Sequence, residues 1–401
     1  MNLWIFNHYA NGPGTNGVTR HYDLAKELVK KGHSVTIFCS SYNHWNKKEL
    51  LEYENNEFFK IVQYENVRFV YFKTTPYDNN GIKRIQSMFS YYLKAKKFKY
   101  EQLGDKPDYV LGSLLHHLAA LIGLKIARKY NAKFIFEERD LWPATLIDLG
   151  KLSVKNPVVK LLDSFEKYMY KNSDKIIVLF DKADQYVVSK GIDQSKILYL
   201  PNGSDLSRFD FLEIRNKKKT NVIGYIGAHS LANNMHRIIE LAEYLKNDET
   251  FQFLFVGEGT YKEELIEIVK EKNLTNCKFK PAVPKEKIPE VLQECDYGII
   301  SLKDSPLYNY GFSLNKLYDY LGAKLPIILD TTITNNVVSE NMLGVSSSDL
   351  DDIASKLKSM TDMEYQNYSE NAYTYVQNNH SWESLASKFE EQIFNEGKRY
   401  E

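Results

Sequence analysis

Short runs of β-branched, aromatic and aliphatic residues alternate along the chain with longer segments whose apolar positions recur every three or four residues. In the first half the short runs predict strands at Leu3 to Phe6, Val35 to Cys39, Val67 to Phe72, Tyr109 to Gly112, Phe134 to Glu137, Lys175 to Leu179 and Ile197 to Leu200. Helical spacing predicts helices between most of them, at Val18 to Lys31, His116 to Tyr130 and Val158 to Lys171. Such alternation points to a parallel, doubly wound sheet. The pattern breaks at Pro201-Asn202-Gly203, where a charged stretch, EIRNKKKTN, follows. It then restarts with Val222 to Ile226, Phe251 to Val256, Lys278 to Lys280, Tyr297 to Ser301 and Ile327 to Leu329. A restart after a turn-rich, lysine-rich linker predicts a second α/β domain. The tail, from about Met363 to Tyr400, reads as helix. The expected organisation is two Rossmann-like domains, 1–203 and 204–380, with parallel sheets facing across a cleft. A C-terminal helix, 381–401, would pack back on the first domain. Ligands of such sheets sit at the carboxyl ends of the strands.

Composition narrows the function classes. With 401 residues the chain is too long for one ordinary core. Hydrophobic and charged contents of 43% and 26% describe a soluble globular protein. Lysine plus arginine and aspartate plus glutamate cancel at 52 each, so nucleic acid is not an expected partner and polyanion binding would need a local patch. Cys39, Cys277 and Cys295 have no paired spacing and read as reduced residues in a cytosolic compartment. The opening MNLWIFNHYA lacks a basic region before its apolar run, and no apolar stretch approaches the roughly 18 residues of a membrane span, so neither secretion nor membrane crossing is expected.

Gly12-Pro13-Gly14-Thr15-Asn16-Gly17 is a literal G-x-G-x-x-G after an apolar run. A dinucleotide fingerprint needs its glycines directly after the strand and an acidic residue about 20 positions on. Here an extra loop, Asn7 to Asn11, intervenes, Pro13 removes a backbone donor, and Ser40-Ser41-Tyr42-Asn43-His44 carries no carboxylate. Two readings stand beside the dinucleotide one: a plain glycine-rich turn, or a phosphate-approach or acceptor loop of another kind. His116 and His117 at a strand-to-helix junction read as cap or core residues unless a cleft surrounds them. Glu137-Glu138-Arg139-Asp140 follows an apolar strand and reads either as cleft-facing or as solvated loop.

Four segments together resemble the retaining nucleotide-sugar glycosyltransferases of family four, in the branch that builds bacterial surface polysaccharides. GPGTNGVTRHYDLAKELVKKGHSVTIF is similar to that family's glycine-rich loop, helix and following strand. GSLLHHLAALIGLKIARKYNAKFIFEERDLWPATLIDLG resembles its histidine-bearing helix and R-D-L-W-P loop, and YLPNGSDLSRF its hinge motif. FLFVGEGTYKEEL with YGFSLNKLYDYLGAKLPIIL resembles its donor-binding half. The resemblance implies the two-domain GT-B fold and a diphosphate at a helix N-terminus. It makes His116 the active-site histidine, with Lys316, Glu138 and Asp140 as further catalytic candidates. Donor binding falls to Gly14, Thr15, Asn16, Gly17, Gly257, Glu258, Ser313, Asn315, Lys316 and Asp319. Lys316 would meet phosphate in the first helical turn, and Asp319, three positions on, would accept ribose hydroxyls. Read from the residues alone, Lys316 and Asp319 have an ordinary surface pair as their alternative, against which the flanking apolar run and glycines favour a functional role.

The sequence departs from the family pattern at two places. Gly311 stands where many relatives carry the first glutamate of a Glu-x7-Glu pair, whose partner position is Asp319. The arginine and lysine usual after the first donor-domain strand are not plain in GYIGAHSLANNMHRII, although His229 and Arg237 are near. The implied activity is retaining transfer of a sugar, an N-acetylated hexosamine or deoxyhexosamine, from a UDP-sugar to a polyprenyl-linked or oligosaccharide acceptor in capsule or O-antigen synthesis. A nucleotide-sugar epimerase and an inactive assembly partner are the alternatives. No cofactor or metal is expected, on the reading that the chain has no Asp-x-Asp triad and no histidine cluster with ligand spacing. IKRIQSMFSYYLKAKKFK, from Ile82 to Lys99, carries six basic residues and no acid. Ile82, Ile85, Phe89 and Tyr92 would share one helical face, with Lys83, Lys94 and Lys97 on another. Either the apolar face packs on the core, or the helix rests on the anionic inner face of the cell membrane, with those lysines as lipid contacts and the protein peripheral there.

Overall fold

The computed structural model describes every residue other than 16, 18, 80, 149, 151, 215, 231, 232 and 396–401. The expected alternation is present. In the first unit, β1 Asn2–Phe6, β2 Ser34–Ser40, β3 Phe59–Tyr64, β4 Val67–Phe72, β5 Tyr109–Leu114, β6 Lys133–Glu138, β7 Lys175–Val178 and β8 Ile197–Tyr199 form one sheet in the order β8-β7-β6-β5-β1-β2-β4-β3. All neighbours pair parallel except β3 with β4. Helices α1 Arg20–Lys30, α2 Ile82–Lys97, α3 His117–Tyr130 and α4 Pro157–Asn172 belong to this unit. Its central strands are buried on both sides, as a helix-covered parallel sheet requires. Aromatic rings fill the space against the sheet: Phe6 stacks on Phe38 at 4.4 Å and Trp4 on Tyr100 at 5.5 Å.

The second unit carries β9 Asn221–Ile226, β10 Phe251–Val256, β11 Cys277–Lys280, β12 Tyr297–Ser301, β13 Ile327–Asp330 and β14 Gly344–Ser347, ordered β11-β10-β9-β12-β13-β14 and parallel throughout. With it go α5 Met235–Tyr244, α6 Asn315–Gly322 and α7 Asp362–His380. The strand order reverses between β1 and β5 in the first sheet and between β9 and β12 in the second. Those switch points are where open α/β sheets bind ligands.

The compact units are 1–201 with 310–312 and 385–401, and 202–309 with 313–384. The tail is helical in separate pieces, α7 and then α8 Trp382–Phe389, followed by a π-helical turn at Glu390–Phe394. Against the first unit, His33 Nε2 lies 3.0 Å from Glu390 and Tyr109 donates to the Ile393 carbonyl at 3.0 Å. The expected helical residues 396–400 lie outside the described ones, as does Val18. The first helix starts at Arg20, two residues later than periodicity predicts.

Candidate active site

At the first switch point, the loop leaving β1 carries His8 and the end of β5 leads into His116, the residue capping α3. His8 Nδ1 lies 2.8 Å from His116 Nε2. The His8 ring stacks on Tyr9 at 4.4 Å and on Tyr91 at 4.9 Å, and His116 meets all three rings edge-on. Burial, with His117 and Arg84 nearby, pushes His116 down to about 3, and burial with His116, Arg84 and His44 holds His8 well below its ordinary value. Both rings are therefore neutral at physiological pH. His116 Nδ1 is buried and has no partner among the described residues. His117 instead packs edge-on against Trp142 and Phe165, and burial pushes it down to about 4.

The strand-end carboxylates divide between two environments, because successive residues of β6 point to opposite faces. Glu137 is fully buried, accepting from Arg20 and His21 at 2.8 Å each and from Ser113 at 2.6 Å. Burial opposes its ionisation, but His21, Arg20 and Arg139 hold the carboxyl well below the usual range. The His21 ring is kept neutral by burial, so its Nε2–H donates to Glu137 while Asn7 donates to its Nδ1 at 2.9 Å. Arg20 supplies the positive charge, and also donates to the carbonyls of Leu200 and Pro201.

Glu138, expected as a catalytic carboxylate, takes the other face. Tyr170 donates to it, and burial followed by the nearby Glu166 carboxylate raises it well above its ordinary value, so it is protonated. Glu166 accepts from Tyr186 at 3.0 Å and pairs with Lys190 at 3.1 Å. The geometry puts Glu138 in this structural cluster, without a contact to His116. Asp140 lies half-buried beyond the strand, raised by burial against the pull of Arg139.

Gly14, Thr15 and Gly17 lie in the loop between β1 and α1, where Thr15 donates to the Gly12 carbonyl at 2.8 Å. Asn16 lies outside the described residues. Gly311 explains its own identity: its φ is +91° and a Cβ there would fall 1.7 Å from Asp181 Oδ1. The left-handed backbone and the Asp181 carboxylate together disfavour any side chain here, including the glutamate that the family pattern implies.

The second switch point gathers a cationic site. Lys316, in the first turn of α6, places Nζ 2.9 Å from the Tyr225 hydroxyl and 2.8 Å from Asn233 Oδ1, and 4.3 Å from the Tyr225 ring centre. Tyr225 and Asn233 both donate to the Ala228 carbonyl, at 2.8 and 2.9 Å, so the loop after β9 is tied down around the ammonium. Burial pushes Lys316 down to about 7. Gly227 lies beside it, and Gly257 crosses so closely that a Cβ would meet the Gly227 oxygen at 1.9 Å, at a φ of +154°. His229 is fully buried beneath this crossing. Burial lowers it to about 4.

Other donor-site candidates scatter. Glu258 pairs with Lys262 at 2.7 Å, and Asn315 is exposed at the start of α6. Ser313 Oγ accepts from the Asn202 backbone at 3.0 Å, pinning the expected hinge motif. Asp319, expected beside Lys316 as a ribose acceptor, instead accepts at Oδ1 from Ser204 and from Arg208, at 3.2 Å each. The shared helical face was correct in spacing, but the linker claimed the carboxylate. Arg237 forks onto Asp330 at 3.1 and 3.2 Å. Asp349-Leu350-Asp351, an Asp-x-Asp triplet, serves as a helix cap, with Asp349 accepting from Asp351 N at 3.0 Å. Among the described residues no group of three or more His, Cys, Asp or Glu could hold a metal ion, and no helix is long and apolar enough to cross a membrane.

On α2 the structure corrects the expected faces. The side turned inward is Ser87, Tyr91 and Ala95, while Ile82, Ile85, Phe89 and Leu93 form a solvent-exposed stripe with 75, 53, 53 and 59% exposure. Lys94, expected as a lipid contact, turns inward and donates to the Lys73 carbonyl. Lys97 is exposed, with Nζ 5.1 Å from the Phe58 ring centre, and Lys83 is exposed.

Sequence reasoning missed His8, Tyr225, Asn233, Arg20 and His21. The signal available for His8 was its place directly after β1, at a switch point. Tyr225 sat inside an apolar strand run and looked like core.

Comparison with known proteins follows this geometry. Residues 15–208 match the model for Glycosyltransferase Family 4, and residues 243–381 match the Glucosyltransferase 3-like, C-terminal domain. The chain is 22% identical over 312 residues to the putative colanic acid biosynthesis glycosyl transferase WcaI of Escherichia coli (strain K12), covering 73% of this chain and 74% of that one. It is 20% identical over 204 residues to the probable glycosyltransferase WbjE of Pseudomonas aeruginosa, covering 49% and 50%. Among solved structures, sucrose-phosphate synthase from Thermosynechococcus elongatus matches with a TM-score of 0.72 at 13% identity over 100% of both chains. Anabaena HepE in complex with UDP and glucose matches with a TM-score of 0.63 at 11% identity, over 98% of this chain and 100% of that one. At such identities the structural likeness establishes the fold, GT-B with two Rossmann-like domains, and the chain is a glycosyltransferase with a Family 4 domain over residues 15–208 and a Glucosyltransferase 3-like domain over residues 243–381.

Proposed function

We propose that the protein transfers a sugar from a UDP-sugar to a polyprenyl-linked polysaccharide precursor, with retention at the anomeric carbon and without a metal. The observation that carries this reading is Lys316: a partly buried ammonium in the first turn of a helix, beside a glycine crossing, whose hydrogen-bond partners among the described residues are neutral oxygens. Such a group lacks a counter-charge that a diphosphate would supply. Supporting it, WcaI and WbjE are described as glycosyltransferases, the former of colanic acid biosynthesis, and HepE was solved with UDP and glucose. The departing diphosphate develops the largest charge in the transition state, and Lys316 with the α6 N-terminus meets it. His116, neutral and with one unpartnered nitrogen, is suited to a sugar hydroxyl. An N-acetylated hexosamine or deoxyhexosamine remains the proposed donor sugar. Isothermal titration with UDP, GDP and ADP, followed by donor turnover with and without a polyprenyl-phosphate-linked acceptor, tests this. UDP selectivity and acceptor-dependent release support transfer. Turnover of the donor sugar without acceptor would mark an epimerase, and absence of UDP binding an inactive partner.

The exposed stripe on α2 favours work at a membrane. Ile82, Ile85, Phe89 and Leu93 point outward between the exposed Lys83, Lys96 and Lys97, on a helix with no acidic residue. An anionic bilayer complements both properties, and each basic residue near its surface contributes about 1 kcal/mol. Phe89→Asp should abolish co-sedimentation with phosphatidylglycerol vesicles, and Lys83→Gln with Lys97→Gln should weaken it at low salt. Unchanged binding in both variants, or none in the native protein, would remove the membrane claim alone.

A further inference from the structure

We propose that His8 is a positioning residue for His116: His116 donates its Nε2–H to His8 Nδ1, which fixes the His116 ring and leaves its Nδ1 as a hydrogen-bond acceptor. This rests on the reading that His116 meets the donor sugar. The two residues come from the loops of β1 and β5, neighbouring strands at the switch point, so the sheet itself sets their separation. His8 is held from several sides. Its carbonyl accepts from Ser40 N at 2.9 Å, and its ring stacks on Tyr9 and Tyr91 at interplanar angles of 7° and 6°. Tyr91 is anchored in turn by donation to the Phe38 carbonyl at 2.7 Å, and Tyr9 by acceptance from Arg84 at 3.1 Å.

A 2.8 Å contact between two imidazole nitrogens needs one N–H and one lone pair. Burial keeps both rings neutral, and the neighbouring histidines, followed by Arg84, work in the same direction. One proton therefore lies between them, and the local field decides its owner. His116 occupies the N-cap of the 14-residue α3, and its side chain makes no capping bond. Of the two ring nitrogens Nδ1 is covalently the closer to the backbone, and so to the positive end of the α3 dipole. A lone pair is favoured there over an N–H. The proton then sits on Nε2 and points at His8. An acceptor at Nδ1 suits a sugar hydroxyl, which is a donor, and a buried nitrogen without a partner gains from such a ligand.

The test reads the tautomer directly, in protein labelled with ¹⁵N-histidine and without nucleotide. The expected spectrum has a pyrrole-type Nε2 and a pyridine-type Nδ1 on His116, with a pyridine-type Nδ1 on His8. His8→Phe keeps an aromatic ring in the stack but removes the acceptor. It should average the His116 tautomers and lower kcat by about tenfold or more, with the donor KM within about twofold. His8→Asn returns an amide oxygen close to the lost Nδ1 and should restore both the signature and most of the turnover. Reversed shifts in the native protein, or an unchanged His116 spectrum in His8→Phe, would overturn the proposal. Should His8→Phe not fold, the native spectrum and His8→Asn decide. Confirmed tautomers with undiminished transfer by His116→Ala would sink the active-site reading of His116 and leave the pair standing.

Discussion

On the proposed function, Lys316 should make nucleotide binding a proton-linked event. Its pKa of about 7 without ligand arises from burial, and its nearest partners, the Tyr225 hydroxyl and the Asn233 amide oxygen, carry no charge to offset it. A diphosphate placed against Nζ favours the ammonium and restores a pKa near the ordinary 10.4 or above. Binding must then take up a proton whenever the pH exceeds about 7. At pH 6 about nine-tenths of the free protein carries the charge, and at pH 8 about one-tenth, so affinity for UDP should fall about tenfold between them. A further unit costs about another tenfold, or about 1.4 kcal/mol, until the pH reaches the bound-state value.

The sign of the stability effect is the reverse. Because the folded pKa lies below the unfolded one, the unfolded chain binds more protons between about pH 7 and 10, and the unliganded protein gains stability as the pH rises through that window. Calorimetric titration of UDP in two buffers of different ionisation enthalpy measures the proton uptake, alongside the affinity profile from pH 6 to 9. Lys316→Gln should lose about 1.5 to 3 kcal/mol of affinity at pH 6, the range for hydrogen bonds to charged groups. Its profile should flatten and approach the native one at high pH. Parallel native and Lys316→Gln profiles, or proton uptake of zero at pH 8, would refute the linkage.

Three further outcomes are expected. His116→Ala should lower turnover far more than UDP affinity, whereas His117→Ala, which removes an edge-on contact to Trp142 and Phe165, should show itself mainly in thermal stability. Gly311→Ala should destabilise by about 1 to 3 kcal/mol in a denaturant titration, since it combines a strained φ with the Asp181 carboxylate, and Gly311→Glu should not recover activity; a stable, more active Gly311→Glu would contradict this geometry. Glu137→Gln strips the charge facing the buried Arg20 and should cost about 3 to 5 kcal/mol, read as a lowered urea midpoint.

What the sequence made legible followed from burial. The parallel strands are continuous apolar runs because helices cover both faces, and these were readable to within a residue or two at β1, β4 and β10. Two of the four edge strands, β3 and β14, were not. β3 is an antiparallel strand with half-exposed residues and β14 reads GVSS, so neither carries an apolar run. On α2 three of the four stripe residues, Ile82, Ile85 and Phe89, were identified, with Leu93 in place of Tyr92, but periodicity cannot say whether a stripe faces core or solvent. Here the small and polar Ser87 and Ala95 pack inward with Tyr91, and the isoleucines stay outside.

The site obeyed the same limit. The place of Lys316 in the first turn of a helix after a glycine-bearing loop was legible, but its partners Tyr225 and Asn233 were not. Asp319 was placed on the right helix, but its protein partners were not legible, since Ser204 and Arg208 reach it from a linker more than a hundred residues away in sequence. Glu137 and Glu138 show the opposite case. Adjacent carboxylates look equivalent in sequence, yet strand alternation sends one to two basic side chains and the other to a tyrosine and a second carboxylate, so one is held ionised and its neighbour protonated. His8 required the topology itself. Its 108-residue separation from His116 is closed only because β1 and β5 lie side by side where the strand order reverses, a pairing that a local pattern does not encode. Residues that depend on strand order for their partners are therefore where a family pattern is least informative and where the geometry of the individual chain decides the chemistry.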